Sequence, residues 1–353
     1  MRMLVLPGDG IGPEIMAQNS RVLQTLNKKY RLGIIFDERT IGLTALKQKD
    51  STFPEEVLNA AKNADATILG PVSTFQYPSK EEGGVSTSAT LRIELDIYAN
   101  IRPNRTRGNV PSVIKQMDMV IVRENTEGFY ADRNMFLGSG EFMPTKDIAL
   151  SVRKITFNGS QRIAKKAFEI SIRRRKKVTI VHKANVLKMT DGLFLAAARE
   201  VAEGYPDVEV EDLIVDAAAA HIIRRSQDFD VLLTTNMYGD ILSDEAAELS
   251  GGLGLGGSIN VGDSRGIAQA AHGSAPDIEG KGIANPTALM MSTASLLDWL
   301  GERHQRLDFR LAAEQFNRAV DEVLSDPVNH TPDLGGRNST IQFGNEVIAK
   351  IDQ

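Results

Sequence analysis

A chain of 353 residues with no cysteine, five histidines and a formal net charge of -5 has material for about two domains and a large core. The composition excludes disulfides, thiolate metal sites and a cysteine nucleophile, and the mild acidity argues against nucleic acid or an anionic membrane as the main partner. Any bound metal is expected among oxygen ligands, which favours Mg²⁺ or Mn²⁺ over zinc.

The run from Met3 to Leu6 reads as a strand, with no room before Pro7 and Gly8 for a signal-peptide core. No apolar run approaches the roughly 18 residues that a membrane helix needs, so a cytoplasmic location without membrane contact is expected. Pro13 and Glu14 suit the first turn of a helix running towards Lys29. "LGIIFDE", the helix-like "PEEVLNAAKNA" and the strand-like "ATILG" follow. Later come "MDMVIVRE", "KVTIVHK", "VEVEDLIVDA" and "FDVLLTTN", mostly separated by helical patterns such as "QRIAKKAFEISIRR" and "DGLFLAAAREVAEG". This alternation predicts α/β architecture with a largely parallel sheet. The glycine-rich stretch 249–263 reads as a loop. Residues 129–147 lack helical period and read as a protruding hairpin or arm. The basic run 173–177 closes a helix before a strand, where cations meet the negative helix end; that reading is preferred to a nucleic-acid patch.

Five segments could carry chemistry. "LPGDGIGPE" places three glycines between a strand and a helix, where backbone N–H groups cradle phosphate, yet it fits neither the G-x-G-x-x-G fingerprint nor a P-loop. Arg92, Arg102 and Arg123 lie near apparent element ends, and guanidinium forks match carboxylate oxygens; any one of them alone is better read as a surface ion pair. Lys183 and Asn185 stand just beyond a strand, where open α/β sheets build sites, while His182 is read as structural. In "NMYGDILSDEAAE", Asp240, Asp244 and Glu248 recur at every fourth position, beside apolar Ile241, Leu242 and Ala246, and repel one another on a helix. With Asp216, which ends a strand-like run, two of them could form an oxygen-rich divalent site; a helix cap and a solvated face are the bland alternatives. "HGSAPDIEGKGIANP" reads as a loop whose Asp277 suits ribose hydroxyls.

Together these segments resemble the β-decarboxylating dehydrogenases, the family of isocitrate, 3-isopropylmalate, homoisocitrate, tartrate and D-malate dehydrogenases. The likeness rests on "LR…LDIYANIRP", "VRENTEG-Y", "HKANVL", "NMYGDILSDEAA" and "HGSAPDI…GKGIANPTA" in this order, and it runs from "LPGDGIGPE" to "TPDLGG". It implies an isocitrate/isopropylmalate dehydrogenase-like two-domain α/β fold with a large mixed, mostly parallel sheet, which is not a Rossmann dinucleotide fold. The domains would be 1–98 plus 251–353 on the cofactor side and an inserted 99–250 with the arm at about 129–147. It implies Tyr130 and Lys183 as the acid/base pair and Asp216, Asp240 and Asp244 as ligands of Mg²⁺ or Mn²⁺. Arg92, Arg102 and Arg123 would hold the carboxylates of a (2R)-hydroxy acid, with Ser86, Ser88 and Asn185 also facing substrate. NAD would lie against Ile11 and against His272, Gly273, Ser274, Ala275, Pro276, Asp277, Ile278 and Asn285. The resemblance further implies a homodimer in which Lys183 and Asp216 serve the partner's site.

Substrate choice is expected to turn on residues 86–90, where Ser86, Thr87, Ser88, Ala89 and Thr90 replace the leucines of isopropylmalate enzymes. The pocket they imply is polar and small, which leans towards isocitrate or homoisocitrate; 3-isopropylmalate, D-malate and tartrate are the alternatives. Gln269 stands where the family usually has glutamate, and the run Ala217 to Ala220 makes another wall smaller. A noncatalytic regulatory subunit of the family is the alternative from a different class.

Overall fold

The computed structural model describes residues 1–130, 135 and 140–353. They form two compact units: Met1–Leu95 with Arg107–Val113 and Gly251–Gln353, and, inserted into it, Asp96–Thr106 with Ile114–Ser250. The first unit opens with β1 (Arg2–Leu6), α1 (Gly12–Tyr30), β2 (Ile35–Glu38), α2 (Gly42–Lys49), α3 (Glu55–Asn63), β3 (Ala66–Leu69) and α4 (Thr87–Glu94). The inserted unit holds β4 (Ala99–Arg105), β5 (Asp118–Glu124), β6 (Glu141–Thr145), β7 (Ile148–Ser151), α5 (Phe157–Ile172), β8 (Lys177–His182), α6 (Thr190–Ala202), β9 (Glu209–Ile214), α7 (Val215–Arg225), β10 (Val231–Thr234) and α8 (Asn236–Ser250). The chain then returns to the first unit with β11 (Ile259–Val261), β12 (Gly266–Gln269), α9 (Thr287–Arg303), α10 (Leu307–Leu324) and α11 (Thr340–Asp352).

In the first unit the strand order is β2-β1-β3-β12-β11, parallel except between β11 and β12. In the second it is β4-β5-β10-β8-β9, parallel except between β4 and β5. Mixed, mostly parallel strands thus organise each unit, as the alternating pattern predicts. Parallel strands are covered on both faces, so they read as continuous apolar runs rather than alternating ones; Met3, Leu4, Val5 and Leu6 of β1 are all buried, as is every residue of β10.

The second unit packs Leu242, Ala246 and Leu249 of α8 against Met119 and Ile121 of β5, Val181 of β8 and Leu232 of β10. Ile241 lies outside that core and is exposed, because it is one residue out of phase with the apolar stripe.

Three further expectations meet the structure here. The stretch 249–263 is not loop throughout, since β11 forms within it where Ile259, Asn260 and Val261 find antiparallel partners on β12. A hairpin occurs at β6 and β7, extending past residue 147, with outward-facing Phe142, Met143, Ile148 and Leu150; the positions 131–134 and 136–139 of the expected arm lie outside the described residues. In the basic run, Arg174 pairs with Asp118 and Asp230, and Lys177 with Glu209 and Glu211. No helix among the described residues is long and apolar enough to cross a membrane.

Candidate active site

In the second unit three elements bring charge together. Arg102 projects from the middle of β4 and Arg123 from the end of β5, the antiparallel neighbour. Opposite them α8 starts two residues after β10, and its fourfold spacing sets Asp240 and Asp244 on one face. Arg102 donates through Nη2 to Asp240 Oδ1 at 3.1 Å and through Nη1 to Asp244 Oδ1 at 2.9 Å and Ser243 Oγ at 2.8 Å. Arg123 also donates to Asp240 Oδ1, while its Nε and Nη2 share Asn236 Oδ1 at 3.0 and 2.7 Å. Gly239 permits this approach, because an added Cβ would stand 2.6 Å from Arg123 Cβ.

Within the chain, Arg102 and Arg123 are the cations that face the repelling aspartates. The Arg123 side chain is 2% exposed, whereas Asp240 and Asp244 are 38% and 50% exposed. Burial, with Arg102 beside it, pulls the Arg123 guanidinium down to about 10, so it stays charged at neutral pH. Burial also raises the Asp244 carboxyl, against the opposing pull of Arg102. Tyr130 completes the group: its hydroxyl donates to Asp240 Oδ2 at 3.4 Å, and Arg123 Cζ lies 5.9 Å from its ring centroid.

Lys183 and Asp216 form a second cluster in the same unit. Lys183 follows β8, Asp216 sits in the first turn of α7 rather than at the end of a strand, and the ammonium donates to the carboxylate. That hydrogen bond holds Asp216 below the ordinary carboxylate range. Asn185 is exposed just beyond Lys183. Among the described residues no group of three or more acidic or histidine side chains is placed to hold a metal, so the chain by itself does not bring Asp216 to Asp240 and Asp244. The donor set fits a hard divalent cation: two half-exposed carboxylates one helical turn apart, with a third on another helix of the unit.

The first unit carries the remaining candidates. Ser88 and Arg92 lie four apart on α4, with Ser86 just before it, and Gln269 at the end of β12 donates through Nε2 to Ser88 Oγ at 3.1 Å. The glycine loop and the 272–285 loop meet. Ile11 N–H donates to Ser274 O at 2.9 Å, Ser73 Oγ to Ser274 Oγ at 2.8 Å, and a Cβ on Gly10 would stand 2.1 Å from Ser274 O. Asp9 braces this junction by accepting from Leu43 N, Ser73 N and the Tyr77 hydroxyl. Glu14 accepts from Gly282 N and Ala284 N, and Asn285 joins Asp333 at 3.0 Å.

Within this loop Ala275 takes the left-handed conformation at φ 40°, a strained position for a residue with a Cβ. Gly273, Pro276 and Asp277 are exposed, while Ile278 is half-buried in the turn Pro276–Ile278. Burial lowers His272, which keeps its ring neutral; its Nδ1 lies 2.9 Å from Gly273 O and its buried Nε2 has no hydrogen-bond partner among the described residues. A polar ligand on this loop would meet that orphaned nitrogen, exposed backbone and the Asp277 carboxylate, a combination suited to a nucleotide.

The profile described as isocitrate/isopropylmalate dehydrogenase matches residues 2–347. The chain belongs to this family. It is 41% identical over 351 residues to the isocitrate/homoisocitrate dehydrogenase of Thermus thermophilus, covering 99% of this chain and 98% of that one. It is 39% identical over 335 residues to the 3-isopropylmalate dehydrogenase of Saccharolobus solfataricus, covering 95% of each. Among solved structures, the isocitrate dehydrogenase from Methylococcus capsulatus superimposes with a TM-score of 0.88 at 38% identity, covering 100% of this chain and 99% of that one. Relatives at similar identity thus carry different substrate names.

Sequence reasoning missed Asn236, Ser243 and Asn100, which orient Arg123 and Arg102. Asn236 and Ser243 stand within four residues of Asp240, and their small polar side chains were the available signal.

Proposed function

We propose that this chain is an NAD- and Mg²⁺- or Mn²⁺-dependent enzyme that oxidatively decarboxylates a (2R)-hydroxy acid of the malate type, with isocitrate or homoisocitrate as the favoured substrate. The observation that carries this reading is the convergence of Arg102 and Arg123 on Asp240 and Asp244, with the Tyr130 hydroxyl beside them. When bound, a divalent cation would supply Lewis acidity and NAD would be the hydride acceptor. Recognition of the substrate carboxylates is assigned to Arg102 and Arg123 and, as the family resemblance implies, to Arg92. Lys183 Nζ removes the proton of the C2 hydroxyl, and Tyr130 Oη returns a proton to the carbon that loses carbon dioxide. Asp216, Asp240 and Asp244 would hold the cation, which requires Lys183 and Asp216 of a second copy in a homodimer.

The serine-rich start of α4 favours a polar γ-substituent, and the bond from Gln269 keeps the Ser88 hydroxyl fixed there. A second reading, 3-isopropylmalate, has support from the name of a relative at 39% identity. The deciding experiment is NAD reduction with Mn²⁺ across isocitrate, homoisocitrate, 3-isopropylmalate, D-malate and tartrate. We expect the highest kcat/KM with isocitrate or homoisocitrate. Preference for 3-isopropylmalate overturns the substrate assignment, and no turnover of any of the five overturns the reaction class.

A further inference from the structure

A heavily buried ion pair in the second unit lies outside the chemistry described above. The Arg153 side chain is 7% exposed and the Asp191 side chain is fully buried, and the two are joined by a direct hydrogen bond. Burying both charges is unfavourable unless their remaining hydrogen-bonding capacity is used. The second carboxylate oxygen of Asp191 accepts the backbone N–H of Lys183 at 2.5 Å. Arg153 Nη1, which bonds Asp191, also donates to Thr190 Oγ1 at 3.0 Å, and Nη2 donates to Thr235 Oγ1, of the residue before Asn236, at 3.1 Å. Its guanidinium also lies over the rings of Phe129, at 5.9 Å, and Tyr238, at 5.1 Å.

The backbone repeats the connection. Gly128 and Lys154 exchange two hydrogen bonds, 2.7 and 3.0 Å, so the residues flanking Arg153 are tied to the segment that carries Phe129 and Tyr130. A further side-chain clamp on the Lys183 turn is His182 Nδ1, which accepts Ala184 N–H at 3.0 Å.

From this we propose that Arg153 and Asp191 are positioning residues for the acid/base chemistry. Asp191 sets the Lys183 peptide, which in the proposed homodimer serves the site of the second copy, and Arg153 anchors Asp191 to the residue before Asn236 and to the segment that carries this chain's own Tyr130. Neither residue touches substrate. The proposal rests on Lys183 acting as the base. Loosening a group that must meet a reacting atom within a fraction of an ångström loses kcat and leaves ground-state binding largely intact.

The test uses the full chain and the best substrate of the screen. Lys183→Gln is measured first: if it keeps parent kcat, the base assignment fails and the positioning proposal falls with it. With Lys183 confirmed, Asp191→Asn and Arg153→Met are expected to lower kcat about tenfold to a hundredfold, with KM for the hydroxy acid within about twofold. The acid limb of the kcat profile should move by about half a pH unit or more, and amide exchange across residues 183–187 should accelerate. Arg153→Lys retains the charge and should recover part of kcat. Should the first two variants fail to fold, Arg153→Lys decides alone: a kcat about threefold or more below parent at unchanged KM supports the proposal. Folded variants with parent kcat and an unmoved acid limb overturn it, whatever their melting temperature, because that pattern belongs to a pair that only stabilises.

Discussion

Replacing Asp240 with asparagine removes the carboxylate that both guanidiniums share. Arg123, 2% exposed, and Arg102, 9% exposed, would then face each other with Asp244 as the remaining opposing charge on α8. Breaking a fully buried ion pair from one side costs about 3–5 kcal/mol. Asp240 is 38% exposed and Asp244 still holds Arg102, so solvent and the surviving pair reduce this to about 1–3 kcal/mol. In a chain of this size that is a fall in Tm of a few degrees, readable by circular dichroism. Activity should suffer far more. Under the proposed function the variant would lose a charged oxygen ligand for the cation, and the guanidiniums lose the group that aims them, so turnover should fall about 10²–10³-fold, a loss comparable with removing one preorganised electrostatic partner. The assay is NADH absorbance at saturating Mn²⁺ and substrate, with Mn²⁺ affinity measured by calorimetry. A folded variant that binds Mn²⁺ normally and turns over near the parent rate would refute the reasoning from the Arg102, Arg123 and Asp240 geometry.

Gln269→Glu should turn the Ser88 hydrogen bond around and place a negative charge beside the α4 serines. KM for the hydroxy acid should rise about threefold to tenfold through like-charge repulsion, with a smaller effect on kcat; steady-state kinetics showing an unchanged KM would remove Ser88 from substrate recognition. The hydrogen bond from Arg199, then that from His182, holds the Asp212 carboxyl below its ordinary 3.8. A depressed value stabilises the fold above the unfolded value and is lost as pH falls through the folded one. Asp212→Asn should therefore lower Tm slightly at neutral pH and flatten its decline below pH 3.8. Melts with an unaltered acid slope would contradict this.

Much of the fold was legible because parallel strands and amphipathic helices leave different periods. "ATILG" and "FDVLLTTN" contain β3 and β10, and Pro13 marks the first turn of α1. Local composition misled where pairing decided the outcome: Ile259 to Val261 sit among glycines and become β11 because β12 offers a partner. Asp216 follows a strand-like run, but the strand stops at Ile214 and the alanines after it continue as α7. At the site, the fourfold spacing of Asp240 and Asp244 was visible, whereas the identity of their counter-charge was not. Arg102 and Arg123 lie more than a hundred residues upstream and reach α8 only because β4 and β5 pair in antiparallel register. The Arg153 and Asp191 pair drew no reading from the sequence, because the two residues stand 38 apart and meet only through the fold.

Within one chain the guanidiniums that neutralise Asp240 and Asp244 are the same groups proposed to receive substrate carboxylates. Each fork has a limited number of donors, and Arg123 already gives two of them to Asn236. Under the proposed function, arriving carboxylates would compete with the aspartates for Arg102 and Arg123, and the half-exposed aspartates would regain the repulsion that their helical spacing imposes. A divalent cation on those oxygens relieves it. Substrate and cation therefore each make the other's binding more favourable, and linkage requires the coupling to be equal in both directions. Under the proposed function the repeated carboxylates of α8 would act as an exchange point between two kinds of positive charge, arginine forks fixed by β4 and β5 and a diffusible ion, with substrate deciding the balance.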